Sequence, residues 1–327
     1  MTKTKYDIAI LGGGMAGISM ALSLAQIKTD KVLHIAVFEK TAFDDKHQSS
    51  FDDRCIALSA GSQQIYQAMG IWNKLTAVEP IKKIHISEHG KMGFSRLDSH
   101  NEKVDALGYV VESYALGKVL IKHLKQLHKQ QHKVDIFCPA QIKSINYSEN
   151  KVNLSYTFKD KQQTLTASLL IAADGGQSFC HQFLTTPPSV KAYQQSAIIA
   201  NIETQYPHQG EAFERFTKSG PLAILPLTET NGSKNRCSLV WTVEEKNVDK
   251  IMSLSDSDFI AQLQQKFGYR LGNIVRTGKR FCYPLILKNL DSSAVTQLKR
   301  LVFVGNSAHA IHPVSGQGFN LGLRDID

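Results

Sequence analysis

The stretch that decides the fold is Tyr6-Asp7-Ile8-Ala9-Ile10-Leu11-Gly12-Gly13-Gly14-Met15-Ala16-Gly17-Ile18, near the amino terminus. Its apolar start predicts a short buried strand, and residues 18–26 are compatible with a helix. The glycines between them follow the G-x-G-x-x-G spacing. In that pattern Gly12 permits a tight turn, Gly14 lets the backbone approach a pyrophosphate, and Gly17 lets the helix pack close to the strand.

A second strand is predicted at residues 33–38, and an acidic residue, Glu39, follows it directly. Glu39 lies about 20 residues beyond Gly17, the usual separation for a carboxylate that accepts the ribose hydroxyls of an adenosine. A G-x-G-x-x-G string alone is a weak signal. Strand, glycines, helix and acid in this order predict a dinucleotide-binding site of the Rossmann type.

A second glycine-rich stretch lies near the other end of the chain, Gly305-Asn306-Ser307-Ala308-His309-Ala310-Ile311-His312-Pro313-Val314-Ser315-Gly316-Gln317-Gly318-Phe319-Asn320-Leu321-Gly322-Leu323-Arg324-Asp325. The apolar residues 301–304 before it predict another buried strand, and the later glycines open a predicted helix. Small residues let backbone approach a ligand, and a helix N-terminus attracts an anion. This cradle suits a planar ligand that becomes anionic when it is reduced.

The middle of the chain contains further predicted strands and one predicted helix. Residues 169–176, Leu-Leu-Ile-Ala-Ala-Asp-Gly-Gly, predict another strand that ends in a small-residue turn with one acid, Asp174. Strands are also predicted at residues 196–203, 212–217, 222–227 and 237–243, and a helix at 256–267. We therefore expect an α/β fold with a Rossmann-like domain (1–72, 105–180 and 284–327) and an inserted, β-sheet-rich substrate domain (73–104 and 181–283).

Composition narrows the class of protein. The chain has 327 residues, 42% of them hydrophobic, enough for one large or two modest domains. It has no apolar run of about 18 residues or more, so no membrane span is predicted. Five cysteines are scattered without a C-x-x-C motif, so neither a disulfide framework nor a zinc site is indicated, and a reducing cytoplasm fits best. His309 and His312 are not expected to bind a metal.

The chain carries a net charge of +9, which leaves nucleic acid or an anionic membrane surface open as partners. The densest basic stretch is residues 118–133, where lysines recur at helical spacing opposite a leucine face. Two interpretations stay open: the solvated face of an amphipathic helix, or a surface that attracts anionic lipid. No nucleic-acid motif accompanies the charge, so no nucleic-acid partner is expected.

Over essentially its whole length, the sequence resembles the FAD-dependent aromatic hydroxylases, the class A flavoprotein monooxygenases, and within them the ubiquinone-biosynthesis hydroxylases. The class-wide motifs are Gly12-Gly13-Gly14-Met15-Ala16-Gly17, Asp53-Arg54-Cys55-Ile56-Ala57-Leu58-Ser59, Ala173-Asp174-Gly175 and the stretch from Gly305 to Asp325. The motifs of the ubiquinone branch are Val110-Val111-Glu112, Phe213-Glu214-Arg215-Phe216, Gly220-Pro221-Leu222-Ala223-Ile224-Leu225-Pro226 and Cys237-Ser238-Leu239-Val240-Trp241.

The resemblance implies FAD as the bound cofactor and NAD(P)H as a transient co-substrate. It places the FAD pyrophosphate at Gly12, Gly14 and Gly17 and the adenosine ribose at Glu39. Arg54 would lie near the flavin or its phosphates, and Asp174 in the region that handles FAD and NAD(P)H. The ribityl chain would lie at Gly305 and Asn306, and the isoalloxazine at Pro313, Gly316, Gly318 and Asn320. The class usually has Gly-Asp where this chain has Gly305-Asn306, so the side chain there can still hydrogen-bond a hydroxyl but carries no charge. No catalytic base is predicted.

The resemblance also implies a reaction. Flavin reduced by NAD(P)H would react with O2 to a C4a-hydroperoxide, which hydroxylates a polyprenylated methoxyphenol on the route to ubiquinone. The enzyme would lie in the cytoplasm, with peripheral contact to the inner membrane and to a ubiquinone-biosynthesis complex. Two alternatives stay open: a flavoenzyme of the same fold acting on a soluble aromatic, a prenyl chain or a halogenation substrate, or a catalytically silent FAD-binding subunit of such a complex. The halogenase string W-x-W-x-I-P is absent from the sequence.

Three expectations concern single positions. The chain stops at Asp327, a few residues into the last predicted helix, so we expect truncated C-terminal helices and an unburied apolar face at Phe319, Leu321 and Leu323. Trp241 is expected in the core. Glu112 is expected either beside the flavin or as the acid at a helix N-terminus.

Overall fold

The computed structural model describes residues 4–28, 30–43, 54–131, 133–230, 232–312 and 316–327, and it has the expected α/β fold. The strands are β1 Lys5–Leu11, β2 Ile35–Phe38, β3 Cys55–Leu58, β4 Val78–Ile81, β5 Lys83–Glu88, β6 Phe94–Asp98, β7 Gly108–Glu112, β8 Val134–Phe137, β9 Ala140–Tyr147, β10 Val152–Phe158, β11 Lys161–Ala172, β12 Ser189–Thr204, β13 Glu211–Thr217, β14 Gly220–Pro226, β15 Arg236–Glu244, β16 Ile274–Thr277, β17 Phe281–Asn289, β18 Leu301–Phe303 and β19 His309–Ala310. The helices are α1 Met15–Gln26, α2 Ala60–Ala68, α3 Ser113–Gln131, α4 Val248–Met252, α5 Asp256–Phe267, α6 Ser292–Thr296 and α7 Gln317–Arg324.

A seven-stranded sheet forms the Rossmann part, in the order β8-β2-β1-β11-β10-β9, with β18 beside β11. The strands β8, β2, β1, β11 and β18 run parallel, so their carboxyl ends share one edge. The central strands β1 and β2 have two buried apolar faces, as expected where a sheet is covered on both sides. On β1, Ile8 and Ile10 pack against α1 and α3, whereas Ala9 and Leu11 face a second core.

Helix α3 confirms the predicted amphipathic pattern. Its four leucines, Leu116, Leu120, Leu124 and Leu127, are buried in the core under the seven-stranded sheet. The lysines between them lie on the exposed side of the helix.

A nine-stranded sheet forms the second part, in the order β19-β17-β12-β15-β14-β13-β5-β6, with β16 beside β12. The predicted helix at 256–267 is present as α5, and it packs on one face of this sheet. Trp241 is 2% exposed in that core, as expected, and its ring lies 5.7 Å from the ring of Phe259. The opposite face of the sheet borders a cavity.

A small three-stranded sheet, β3-β7-β4, contacts both cores. Ile56 and Val111 pack into the core of the Rossmann part, whereas Ile81 and Val110 pack with Ala212 of the large sheet. The predicted domain boundaries stay a prediction. Within the segment 284–327, β18 joins the Rossmann sheet, but β19 and most of β17 belong to the nine-stranded sheet.

The structure corrects the expectation for Leu323 in the last helix and, in part, the expectation of a buried strand at residues 301–304. Leu323 of α7 is fully buried among α1 and β3 residues, so the expected exposure of this side chain is wrong. Phe319 and Leu321 are half-buried. The strand before this helix is present as β18, but Val302 in it is exposed, so the strand is buried on one side only.

The glycine pattern acts through close backbone contacts. Gly12 has a φ of +103°, and a Cβ there would lie 2.6 Å from the carbonyl carbon of Ala173 at the end of β11. A Cβ on Gly17 would overlap the carbonyl oxygen of Gly12. Only glycine lets α1 lie this close to β1.

This contact predicts different outcomes for two helical glycines. Gly17→Ala should lower the free energy of unfolding by about 1–3 kcal/mol, because α1 must move away from β1. In Gly61→Ala, the matched control in α2, the new methyl meets nothing nearer than 3.9 Å. The control should be neutral or stabilising by up to about 1 kcal/mol. Equal effects of the two variants in urea unfolding would contradict the contact.

Candidate active site

Four of the predicted cofactor residues lie at the shared carboxyl edge of the parallel strands. Gly12 directly follows β1, and Glu39 directly follows β2. One residue separates Asp174 from the end of β11, and one separates Gly305 from the end of β18. Because β2, β1, β11 and β18 are neighbours in the sheet, residues from three distant parts of the sequence meet there. Ligands of open α/β sheets bind at this edge.

The N-terminus of α1 is open toward that edge. Gly14 is the N-cap residue in extended conformation, and no side chain caps the helix. The first N–H groups of α1 are therefore left for an anion such as a phosphate. Next to it, the Glu39 carboxylate accepts hydrogen bonds from the N–H of Gly13 at 2.6 Å and of Thr41 at 2.8 Å. These features fit the pyrophosphate and adenosine ribose of FAD.

The turns after β11 and β18 lie beside this helix end. Gly305 has a φ of +58°, and its N–H donates to the Asp325 carboxylate at 2.8 Å. Asn306 is exposed, so its amide can accept or donate to a ligand. Asp174 is also exposed, and it accepts a hydrogen bond from the N–H of Phe179 at 2.8 Å.

Asn320 is the most heavily hydrogen-bonded of the predicted cofactor residues. Its Oδ1 accepts from the Ser59 N–H at 2.9 Å and from the Ser62 hydroxyl at 2.7 Å. Its Nδ2 donates to the carbonyls of Ala57 at 2.9 Å and Gly316 at 3.0 Å. Since its two donors and its acceptor oxygen are used within the protein, this side chain ties α7 to β3 and α2.

The remaining predicted residues surround the same helix. Gly316 caps α7 in the left-handed conformation, and Gly318 lies in its first turn. Pro313 lies outside the described residues. Arg54 precedes β3, and its guanidinium carbon lies 4.7 Å from the centre of the Tyr283 ring. The N-terminal turn of α7 and Arg54, just before β3, therefore face the same space.

That space is a cavity of about 570 Å³ between the large sheet, β3 and α7. On the sheet side, its wall is a set of alternate residues, because successive side chains of a strand point to opposite faces. This alternating set is Ile84, Ile86, Leu97, Ala197, Ile199, Ala212, Glu214, Phe216, Pro221, Ala223, Leu225, Val240, Thr242, Tyr283 and Leu285, and Phe213 also touches the cavity. The floor includes Arg54, Cys55, Ala57, Leu58, Ser59, Gly316, Gln317 and Asn320.

Glu214 is the one carboxylate that lines this cavity among the described residues. The strand register places it between Ile86 of β5 and Ala223 of β14, within an apolar row. No hydrogen bond or ion pair to another described residue engages its carboxylate, and burial raises its pKa above the ordinary value for glutamate. The carboxyl group therefore favours the protonated form more than an exposed glutamate does.

Glu214 is a site residue that no sequence motif predicts. The motif Phe213-Glu214-Arg215-Phe216 carries a resemblance to the ubiquinone branch and no site role. The alternation within it was the available signal: Phe213 lies in the core beside α5, so Glu214 must lie on the other face. The sequence did not show what that face borders.

Glu112 has an ion-pair partner that neither of its two expected roles included. It ends β7 directly before α3, and its carboxylate accepts from Arg236 Nη2 of β15 at 2.7 Å. This ion pair links the three-stranded sheet to the large one. Among the described residues, no group of three or more histidine, cysteine or acidic side chains could hold a metal.

The comparisons with known proteins identify the family and agree with the fold. The family model of the FAD binding domain matches residues 5–327. Ubiquinone hydroxylase UbiL of Rhodospirillum rubrum is 32% identical over 324 residues, which cover 98% of this chain and 70% of that protein. 3-Demethoxyubiquinol 3-hydroxylase of Escherichia coli is 28% identical over 330 residues, 100% of this chain and 79% of that protein. The crystal structure of p-nitrophenol 4-monooxygenase PnpA from Pseudomonas putida matches with a TM-score of 0.75 at 15% identity, over 99% and 78% of the two chains.

The family match and the ubiquinone hydroxylases among the relatives define a FAD-dependent monooxygenase. The chain belongs to the family of FAD-dependent hydroxylases that includes the ubiquinone hydroxylases. FAD is its cofactor, and the resemblance found in the sequence is confirmed.

The raised pKa of Glu214 predicts that removal of its carboxyl group stabilises the protein, by an amount that depends on pH. The folded state binds this proton more tightly than the unfolded state, so stability falls as pH rises from the ordinary glutamate pKa through the raised one. Glu214→Gln should remove this loss and be more stable than wild type at neutral pH, with no difference at acid pH. The gain is about 1.4 kcal/mol for every pH unit that separates the two pKa values. The matched control is Glu102→Gln at an exposed position. A gain that does not vary with pH, or that the control shares, would contradict the assignment.

The hydrogen bonds of Asn320 predict a structural role. Asn320→Ala removes the acceptor of the buried Ser62 hydroxyl and the partners of a partly buried N–H and two partly buried carbonyls, so it should lower the free energy of unfolding by at least about 2 kcal/mol. Asn306→Ala, at an exposed position, should change it by less than about 0.5 kcal/mol. Thermal unfolding of the apoprotein measures both, and a neutral Asn320→Ala would exclude the role.

Proposed function

We propose that this protein hydroxylates the ring of a polyprenylated methoxyphenol on the route to ubiquinone, in the manner of a 2-octaprenyl-6-methoxyphenol hydroxylase. The observation that carries the proposal is the large apolar cavity against β3 and α7. Its volume of about 570 Å³ exceeds the need of one ring, and it lies within the usual range for small-molecule sites. A ring with the first units of an isoprenoid tail fits such walls.

In this proposal the predicted cofactor residues hold FAD from two sides. Gly12, Gly14 and Gly17 would bind its pyrophosphate with the open N-terminus of α1, and Glu39 its adenosine ribose. The turns at Asp174 and Gly305-Asn306 would hold the chain between its halves. Gly316 and Gly318, with Pro313, would border the flavin ring, and Asn320 would support that border. FAD, reduced by transient NAD(P)H, would supply the activation of O2.

The residues of the chain would do the rest. The apolar wall excludes water from the reacting ring. Glu214 would accept a hydrogen bond from the phenol hydroxyl and take its proton, which makes the ring a better nucleophile. A carboxylate whose pKa is raised by burial is a stronger base than an exposed one. Arg54, fixed over Tyr283, would place a positive charge at the floor of the cavity.

The place of the enzyme is also part of the proposal. No helix among the described residues is long and apolar enough to cross a bilayer. A substrate with an isoprenoid tail stays in the membrane, so we place the enzyme in the cytoplasm at the inner face of the membrane, beside other enzymes of ubiquinone biosynthesis.

The proposal is tested with purified protein loaded with FAD. A prenylated 2-methoxyphenol in detergent should stimulate oxidation of NADH or NADPH and yield a ring with one more hydroxyl, measured by mass spectrometry. Turnover of unprenylated phenols alone would favour a soluble aromatic substrate. FAD retention without any turnover would favour the catalytically silent subunit.

A cavity-filling variant gives a sharper prediction. Ala223 lies in the middle of the cavity wall, next to Glu214 on the neighbouring strand. Ala223→Phe should lower kcat/KM for the prenylated phenol roughly tenfold or more, while FAD stays bound, because the ring takes the substrate's space. Val190→Phe, at an exposed position of β12, is the control. Unchanged turnover in Ala223→Phe would place the substrate elsewhere.

A further inference from the structure

The edge of the large sheet exposes an apolar tip. The turn between β5 and β6 carries Met92, which is fully exposed, and Phe94, the first residue of β6, is 60% exposed. Single exposed apolar residues are common, but two at the tip of one hairpin at a sheet edge are a candidate contact surface. We call the segment from Glu88 to Leu97 the edge hairpin.

Three arginines lie behind this tip. Arg96 and Arg270 both lie over the Phe94 ring, with guanidinium carbons 5.5 and 5.7 Å from its centre. Together with Arg215 they surround His85, which is 1% exposed. Burial first, and then the charges of Arg270, Arg96 and Arg215, lower the pKa of His85.

The cluster has too few counter-charges. Arg96 lies 3.5 Å from a carboxylate oxygen of Glu211. No carboxylate of any other described residue comes within ion-pair distance of Arg215 or Arg270, and Lys91 on the turn has its own partner, Glu88, at 2.8 Å. Neither ring nitrogen of His85 has a hydrogen-bond partner among the described residues. The excess positive charge therefore favours an anion at this edge.

The cavity opens at the same edge. Of the residues that line it, Leu97 and Phe216 are the most exposed, at 39% and 41%. Leu97 directly follows Arg96 on β6. Phe216 lies against the turn, because the N–H of His89 donates to its carbonyl at 2.8 Å. The apolar tip, the arginines and the mouth of the cavity are thus within one edge of the sheet.

We propose that the edge hairpin docks on an anionic phospholipid bilayer. Met92 and Phe94 enter the interface between head groups and acyl chains, while the exposed Arg96 and Arg270 bind lipid phosphates. Arg215 donates to the Lys266 carbonyl and the Ser87 hydroxyl, so it adds positive charge behind them. The mouth at Leu97 and Phe216 then faces the acyl chains, so an isoprenoid tail can pass from the bilayer into the cavity. The docking stands on the surface alone, and only this last step rests on the proposed function.

Helix α3, the basic segment noted in the sequence, offers less to a bilayer. Lys122, Lys125 and Lys129 on it are exposed, but its leucines are used in the core. It can attract anionic lipid by charge, yet among its described residues no large apolar side chain is as exposed as Met92 or Phe94. The edge hairpin combines both features, and this combination decides between the two surfaces.

The first experiment reads insertion directly. The FAD-loaded Met92→Trp variant is mixed with vesicles of phosphatidylcholine containing phosphatidylglycerol, and with vesicles of phosphatidylcholine alone. Tryptophan emission should shift to shorter wavelength with the anionic vesicles, and lipids brominated in their acyl chains should quench it. Because Met92 is fully exposed, the substitution leaves the fold intact. An unchanged emission with anionic vesicles overturns the proposal.

The second experiment compares the two basic surfaces by vesicle co-sedimentation. Arg96→Gln with Arg270→Gln should weaken binding to the anionic vesicles roughly 20-fold or more, or about fivefold per cation. Lys122→Gln with Lys125→Gln removes the same charge from α3 and should cost less than the arginine pair. A larger loss from the lysine pair overturns the proposal. The proposal is also overturned if the Arg96→Gln, Arg270→Gln variant binds vesicles normally but has a higher KM for NAD(P)H, because the arginines would then form a nucleotide site.

Activity separates this proposal from the proposed function. The arginine pair should keep wild-type turnover of a short-chain prenylated phenol in solution and lose it with a long-chain substrate embedded in vesicles. Equal loss with both substrates overturns the route through the mouth. If no phenol is hydroxylated but Met92→Trp still inserts, the proposed function fails while the docking surface stands.

Discussion

The structure depends on close backbone contacts at glycines, where no side chain holds neighbouring elements apart. Gly12 lies against Ala173, and Gly17 lies against the carbonyl of Gly12. At the other end of the sequence, a Cβ on Gly322 of α7 would lie 3.1 Å from the Cα of Gly305. These contacts bring the start, the middle and the end of the chain to one edge of the sheet. The helix N-terminus, the acidic turn and the cavity floor take their positions from this packing, since an added methyl group would separate the elements.

Much of the fold was visible in the sequence because its signals are local. Glycine spacing marked α1, and apolar runs marked β1, β11 and β18, since each pattern needs only neighbours in the chain. Sheet partners were not visible. That β19 would pair with β17, or that Leu323 would be buried against α1 and β3, depends on contacts between residues far apart in sequence, which no local pattern encodes.

The candidate site divides in the same way. Residues such as Gly14 and Glu39 could be predicted, because a nucleotide-binding turn uses one short motif. Glu214 could not, because its role arises only when β13 is paired with β5 and β14 over a cavity. Asn320 shows a third case. Its position was predicted, but its amide is used to hold protein segments together, and the hydrogen-bond partners Ser59 and Ala57 lie far from it in sequence.

The two-faced large sheet has a consequence for how this enzyme can change over evolution. On β14, Leu222 and Ile224 are buried in the core, whereas Pro221, Ala223 and Leu225 border the cavity. Residues that stabilise the core thus alternate with residues that line the cavity along the same strands. Under the proposed function, a lineage could exchange cavity residues one at a time and accept a new ring or tail without loosening the core. A single-residue insertion, in contrast, would swap the two sets and lose both properties together.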